Sequence, residues 1–176
     1  MNVFKGRSLC VIDDFSKEER LFLFSKVRLL KQALREENKE VIDSFRINDP
    51  DFGIYEVFLE DSTRTKESFR NAANFHYSKL TEMSADNSSF NKGESYADTF
   101  NTLCGYNNRI FIIRSKVEGV CKHLSQECSA YARRNGLSFT PVFINAGDGK
   151  HEHPTQELLD EYSFLEDNDW DTQDIH

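Results

Sequence analysis

Ile54-Tyr55-Glu56-Val57-Phe58-Leu59-Glu60-Asp61-Ser62-Thr63-Arg64-Thr65-Lys66 decides the fold. The first six residues predict a strand, which runs straight into Ser62. From Thr65 to Leu80 the positions Phe69, Ala72, His76 and Leu80 recur at helical spacing, so the Ser/Thr/Arg cluster falls in the first turn of a helix. A strand that empties into a helix start is one half of a β-α-β unit.

The same alternation continues on both sides. Upstream, Ser16 and Glu19 form a capping box for a helix whose Leu23, Val27, Leu30 and Leu34 are expected to be a core stripe. Asn48-Asp49-Pro50-Asp51 breaks that pattern ahead of the strand. Downstream come a polar loop from Ser84 to Gly93 with a single cation, Lys92, and a helix from Glu94 to Cys104. A buried strand, Arg109 to Ile113, follows with Arg114 at its end, then a helix from Val117 to Arg134. Pro141 to Asn145 reads as another strand, and the loop Ala146-Gly147-Asp148-Gly149 leads to His153-Pro154-Thr155-Gln156 and a last helix. The expected fold is α/β, a three-layer domain with a central, mainly parallel sheet flanked by helices. In such a sheet ligands bind beyond the carboxyl ends of the strands, so Ser62, Arg114 and His153 should converge on one edge.

With 176 residues the chain has room for one substantial core. The formal charge of −8 is concentrated late, since nine acidic residues and no Lys or Arg follow Lys150. The remainder is close to neutral, which argues against a nucleic-acid partner. The acidic stretch from Glu161 to Asp174 reads either as a solvated helix end or linker or as an interaction tail. Cys10, Cys104, Cys121 and Cys128 have neither Cys-x-x-Cys pairing nor disulfide-framework spacing and are expected to be buried or free thiols. Neither a signal peptide nor a membrane-spanning run is present, so the expectation is a cytoplasmic protein with no membrane partner.

A helix start offers unpaired backbone N–H groups, and Ser62, Thr63 and Arg64 add two hydroxyls and a guanidinium, a set suited to a phosphate. Simple N-capping by Ser62 is the competing reading, as core packing is for His76. His153 before Pro154 has an imidazole placed to donate to a carbonyl oxygen, with Gln156 over the same turn. His151-x-His153 near Asp148 offers part of a metal-ligand set, but no other His or Cys at suitable spacing completes it. A Gly-x-Ser-x-Gly elbow is absent.

With these motifs placed, the chain resembles the carbamoyltransferase family, in its aspartate branch. The resemblance rests on Phe58-Leu59-Glu60-Asp61-Ser62-Thr63-Arg64-Thr65, on Lys92-Gly93-Glu94-Ser95 with Ala97-Asp98-Thr99, on Asn145-Ala146-Gly147-Asp148-Gly149, and on His153-Pro154-Thr155-Gln156 with Leu158-Leu159-Asp160. It implies that Ser62, Thr63, Arg64 and Thr65 hold carbamoyl phosphate and that Arg114 bridges its phosphate and carbonyl oxygen. It further implies that His153 polarises the carbonyl and Gln156 holds the carbamoyl nitrogen. Thr65, Arg114 and His153 would be the catalytic set, with no cofactor and no metal. Ser89 and Lys92 would enter a neighbouring subunit's site, implying a homotrimer.

The reaction so implied carries the carbamoyl group to the amine of L-aspartate, giving N-carbamoyl-L-aspartate and phosphate for pyrimidine biosynthesis. The sequence departs from the family pattern at Lys66, at Arg114-Ser115-Lys116, and in a longer segment from Val117 to Phe139. Residues 1–165 are expected to form the carbamoyl-phosphate-binding domain. Residues 166–176 would lead to an aspartate-binding domain that is missing, so this length alone would be inactive. Two other readings remain at this point: a phosphate-binding or assembly module without catalysis, and transfer to another amine such as ornithine.

Overall fold

The computed structural model describes residues 3–49, 51–84 and 96–173. Its first long helix, α1 (Lys17–Arg35), opens on the expected reciprocal cap: the Glu19 amide donates to the Ser16 hydroxyl at 3.3 Å and the Ser16 amide donates to the Glu19 carboxylate at 2.9 Å. Arg7 holds the same carboxylate. Replacing Ser16 by Ala should lower stability by about 1 kcal/mol in urea unfolding. No change would mean that the Arg7 pair fixes the helix start without the hydroxyl.

The stripe Leu23, Val27, Leu30, Leu34 is not the buried face of α1. Phe24, Ala33 and the stem of Arg20 are buried, while Val27 and Leu34 are exposed. The reason is the partner: α1 packs chiefly against the short helix α2 (Lys39–Ser44) and the last helix, α6 (Pro154–Asp167). There Phe24 meets the Tyr162 ring edge-on at 5.7 Å, and Arg20 pairs with Glu161 at 2.9 Å. Beyond α6, Trp170 packs on Tyr162 and under the guanidinium of Arg28.

Four parallel strands, β1 (Gly53–Phe58), β2 (Lys79–Ser84), β3 (Asn108–Ser115) and β4 (Val142–Asp148), form one sheet in the order β2-β1-β3-β4. The helices α3 (Thr63–Phe75), α4 (Tyr96–Gly105) and α5 (Val120–Arg134) cover it. On the α4/α5 face Phe111 and Phe143 stack at 4.9 Å with Phe100 edge-on to Phe111, and Val57, Ile113 and Leu124 complete the layer. On the α3 face Ile54, Phe58, Ile112 and Ala146 pack against Ala73 and Phe69. The three-layer α/β expectation holds.

Two element boundaries differ from the sequence reading. The helix expected to reach Leu80 stops at Phe75, because Tyr77 takes φ +53° and the Ser78 amide turns back to the Ala73 carbonyl. Lys79 to Ser84 is instead the edge strand β2, and the buried stripe of α3 runs through Phe69 and Ala73, not Ala72. His76 caps that helix, half-buried, and burial lowers its pKa. The other boundary is at β4, which continues through Ala146 and Gly147 to Asp148, where a loop was expected.

All four cysteines are buried free thiols. Cys10 and Cys121 lie with their sulfurs 3.5 Å apart, and Cys128 engages Cys104. The strand order sets the position of the site. From β1 the chain moves outward to β2, and from β3 it moves outward the other way to β4, so the connections part between β1 and β3 and leave a crevice at their carboxyl ends.

Candidate active site

Ser62 follows β1 at that crevice and is the N-cap residue of α3, yet its side chain makes no capping bond. Its hydroxyl donates to Thr65 Oγ1 at 3.0 Å. The first amides of α3 therefore keep their donors, and the first turn has no acidic residue to take up the positive end of the helix dipole. Thr63 and Arg64 are exposed, and among the described residues Arg64 is in no ion pair. Ser62 thus makes no capping bond, and the turn keeps the open amides and hydroxyls that suit an anion.

Arg114, near the end of β3, joins three elements. Its Nη1 donates to the Ala146 carbonyl of β4 at 2.9 Å, its Nη2 lies 3.7 Å from Glu60, and its backbone carbonyl accepts from the Leu59 amide. Its Nε is buried and has no hydrogen-bond partner among the described residues. The guanidinium is thus tied to both neighbouring strand ends, with polar capacity left over.

Gly147 lets Arg114 and His153 approach one another. At φ +114°, its backbone passes so close that a Cβ there would lie 2.5 Å from Arg114 Nη1 and 3.4 Å from His153 Cδ2. Asn145 fixes this turn, its Oδ1 accepting from the Gly147 amide and its Nδ2 donating to the Cys10 carbonyl, both at 2.9 Å. His153 precedes Pro154 at the start of α6, with Nδ1 3.1 Å from Thr155 Oγ1. Burial, and then the Arg114 charge, lower the His153 pKa. The ring is therefore neutral at pH 7, and in the tautomer whose Nδ1 accepts from Thr155 it presents an Nε2–H donor.

Ser62, Thr65, Arg114 and His153 therefore stand on consecutive elements of one sheet edge, as the strand pattern required. Gln156 does not point with them, since its Nε2 donates to Asp160 along the exposed side of α6. Ser89 and Lys92 lie outside the described residues. His151 pairs with Asp148 at 3.2 Å, but the Asp148 carboxylate is already engaged by the Gly119 and Glu152 amides. Burial opposes its charge, and those bonds outweigh burial and hold its pKa low. Glu60 and Gly147 were not singled out from sequence. A Gly flanked by Ala and Asp at the end of an apolar strand was the available sign of a close approach.

A parallel α/β sheet whose strand order reverses over a turn of unpaired amides, a tethered arginine and a neutral histidine defines an anion-binding domain of the doubly wound type. The chain belongs to the aspartate/ornithine carbamoyltransferase family, whose carbamoyl-P binding domain it matches over residues 7–166. It is 67% identical over 175 residues to Protein PyrBI of Treponema denticola, covering 99% of this chain and 33% of that protein. It is 55% identical to Protein PyrBI of Thermotoga maritima, again covering 33% of the relative. Among solved structures, aspartate transcarbamoylase of Trypanosoma cruzi in complex with carbamoyl phosphate and aspartate superposes with a TM-score of 0.72 at 25% identity, over 93% of this chain and 48% of that one. The chain thus spans about one third of the length of these curated relatives. No helix among the described residues is long and apolar enough to cross a membrane.

Proposed function

We propose that the crevice binds carbamoyl phosphate, with the phosphate on the α3 helix start and the carbonyl oxygen between Arg114 and His153. The observation that carries this reading is the convergence at Gly147, which sets a cation and a neutral imidazole donor side by side next to an uncapped helix start. Ser62, Thr63 and Arg64 hold phosphate oxygens, and Thr65 lies between phosphate and carbonyl. Gln156 reaches the carbamoyl nitrogen after exchanging its bond to Asp160 for one to the ligand.

In the longer protein an aspartate-binding domain follows the acidic segment 166–176 and supplies the second substrate. The amine of L-aspartate attacks the carbamoyl carbon, the carbonyl oxygen gains negative charge against Thr65, Arg114 and His153, and the C–O bond to phosphate breaks. Donors aimed at such an oxyanion are worth about 3–4 kcal/mol each. Ser89 and Lys92 act in a neighbouring subunit of a homotrimer, and the product enters pyrimidine biosynthesis in the cytoplasm. Residues 1–165 are the carbamoyl-phosphate half, and this length alone turns over negligibly.

Isothermal titration of the chain with carbamoyl phosphate tests the site. Arg64→Ala and His153→Ala should each weaken binding by about 10- to 100-fold, the range for losing a hydrogen bond to a charged group. Undiminished binding in both variants would remove the site from this crevice.

A further inference from the structure

The segment Val117 to Phe139 finds no use in the site just described, because its far end lies at the opposite edge of the sheet. There, between the starts of β1, β3 and β4 and the end of α5, is a cleft of about 780 Å³. That volume suits an organic ligand of moderate size. Ile110, Val142 and Ala132 contribute apolar surface, and no Asp or Glu is found among the described residues that line it.

One wall is built around Arg109. Its guanidinium lies 5.3 Å from the centre of the Phe52 ring and 5.4 Å from that of Phe139, and its Nε donates to Asn107 Oδ1 at 3.3 Å. Two aromatic contacts and one hydrogen bond fix the plane of the side chain and leave the Nη1 and Nη2 donors for bidentate contact. Lys5 and Arg133 stand on the rim, and among the described residues neither they nor Arg109 is in an ion pair. The last carbonyls of α5 do not offset these charges at close range, because the amides of Asn135, Gly136 and Leu137 accept that role, donating to Tyr131, Arg133 and Ala132.

We propose that this cleft is a second binding site, for a small organic anion with a flat apolar body, its acidic group on Arg109 and its body along Phe139 and the Ile110–Val142 floor. Arg109 and Arg114 are five residues apart on one strand, about 16 Å at the usual rise, so the site is separate from the carbamoyl-phosphate crevice. Surface cations that merely solubilise the domain would be spread out or matched by acids. Here three converge on an apolar cleft, and the central one is held in place by aromatic rings.

The test is an amide NMR titration of the chain with naphthalene-2-sulfonate, whose charge does not change with pH, and with the neutral naphthalene-2-sulfonamide. The sulfonate should give saturable shifts at Gly6, Phe139 and Thr140, and the sulfonamide should bind at least fivefold more weakly. Arg109→Gln should reduce sulfonate affinity at least fivefold. The double variant Lys5→Gln with Arg133→Gln, which leaves the aromatic wall intact, should reduce it about threefold through charge alone. The proposal is overturned if shifts fail to saturate by millimolar concentration, if they occur only at Thr63 to Thr65, if the neutral compound binds equally well, or if both sets of variants bind as the parent does.

Discussion

Glu56→Gln is expected to stabilise the chain at pH 8 by about 3 kcal/mol and at pH 5 by less than about 1 kcal/mol. Glu56 lies in the middle of β1 with 1% of its surface exposed, and neither carboxylate oxygen has a hydrogen-bond partner among the described residues. Burial, reinforced by Glu82 on the adjacent strand, raises its pKa to about 7 from an ordinary value of 4.5. Lys66 and Arg70 of α3 oppose the shift, but both are already engaged by Glu82.

Between pH 4.5 and about pH 7 the folded chain holds a proton that the unfolded chain has released. The stability contributed by the protonated carboxyl is therefore complete below about pH 4.5 and is lost as pH rises through 7. The amide of Gln matches the protonated acid in size and never ionises. Urea unfolding of both proteins from pH 5 to pH 8 decides the matter. Parallel pH profiles would mean that Glu56 is solvated or paired in solution.

Gly147→Ala is expected to weaken carbamoyl phosphate binding by at least about 100-fold, more than loss of any single ligand-binding side chain. Two costs coincide. A residue with a side chain is strained at φ +114°, and its Cβ would take the place of Arg114 Nη1. Arg114 must then give up the Ala146 carbonyl and its position against His153, so the pair proposed to polarise the carbonyl separates. Titration of the variant with carbamoyl phosphate, alongside circular dichroism to confirm folding, tests this. Near-parental affinity in a folded variant would mean that Arg114 has no part in the site.

The sequence allowed some of this architecture to be read and concealed the rest for physical reasons. The junction from Ile54 to Thr65 was readable because an apolar strand meets a helix start across only the four residues 59–62. The buried face of α1 was not, because periodicity reports that a face is apolar but not which helix will cover it. Strand β2 was hidden at the sheet edge, where Lys79 and Leu80 read as the last residues of α3. Glu56 passed unnoticed inside a strand because its cost comes from burial and then from Glu82 beside it in the sheet, and both arise only once the strands and helices have packed. Gly147 shows the same dependence, since its role is set by Arg114, 33 positions away in the chain.

The buried sulfurs on α5 have a kinetic consequence. Cys121 and Cys128 lie two helical turns apart on one face of that helix, each against a thiol from another element, and burial together with these contacts raises their pKa values. In the native chain at neutral pH they are shielded from alkylating reagents and hold little thiolate. Covalent labelling can therefore proceed only when the helix lifts from the sheet, and the labelling rate becomes a clock for that opening. Comparing Cys121 with Cys128 would tell which end of the helix detaches first.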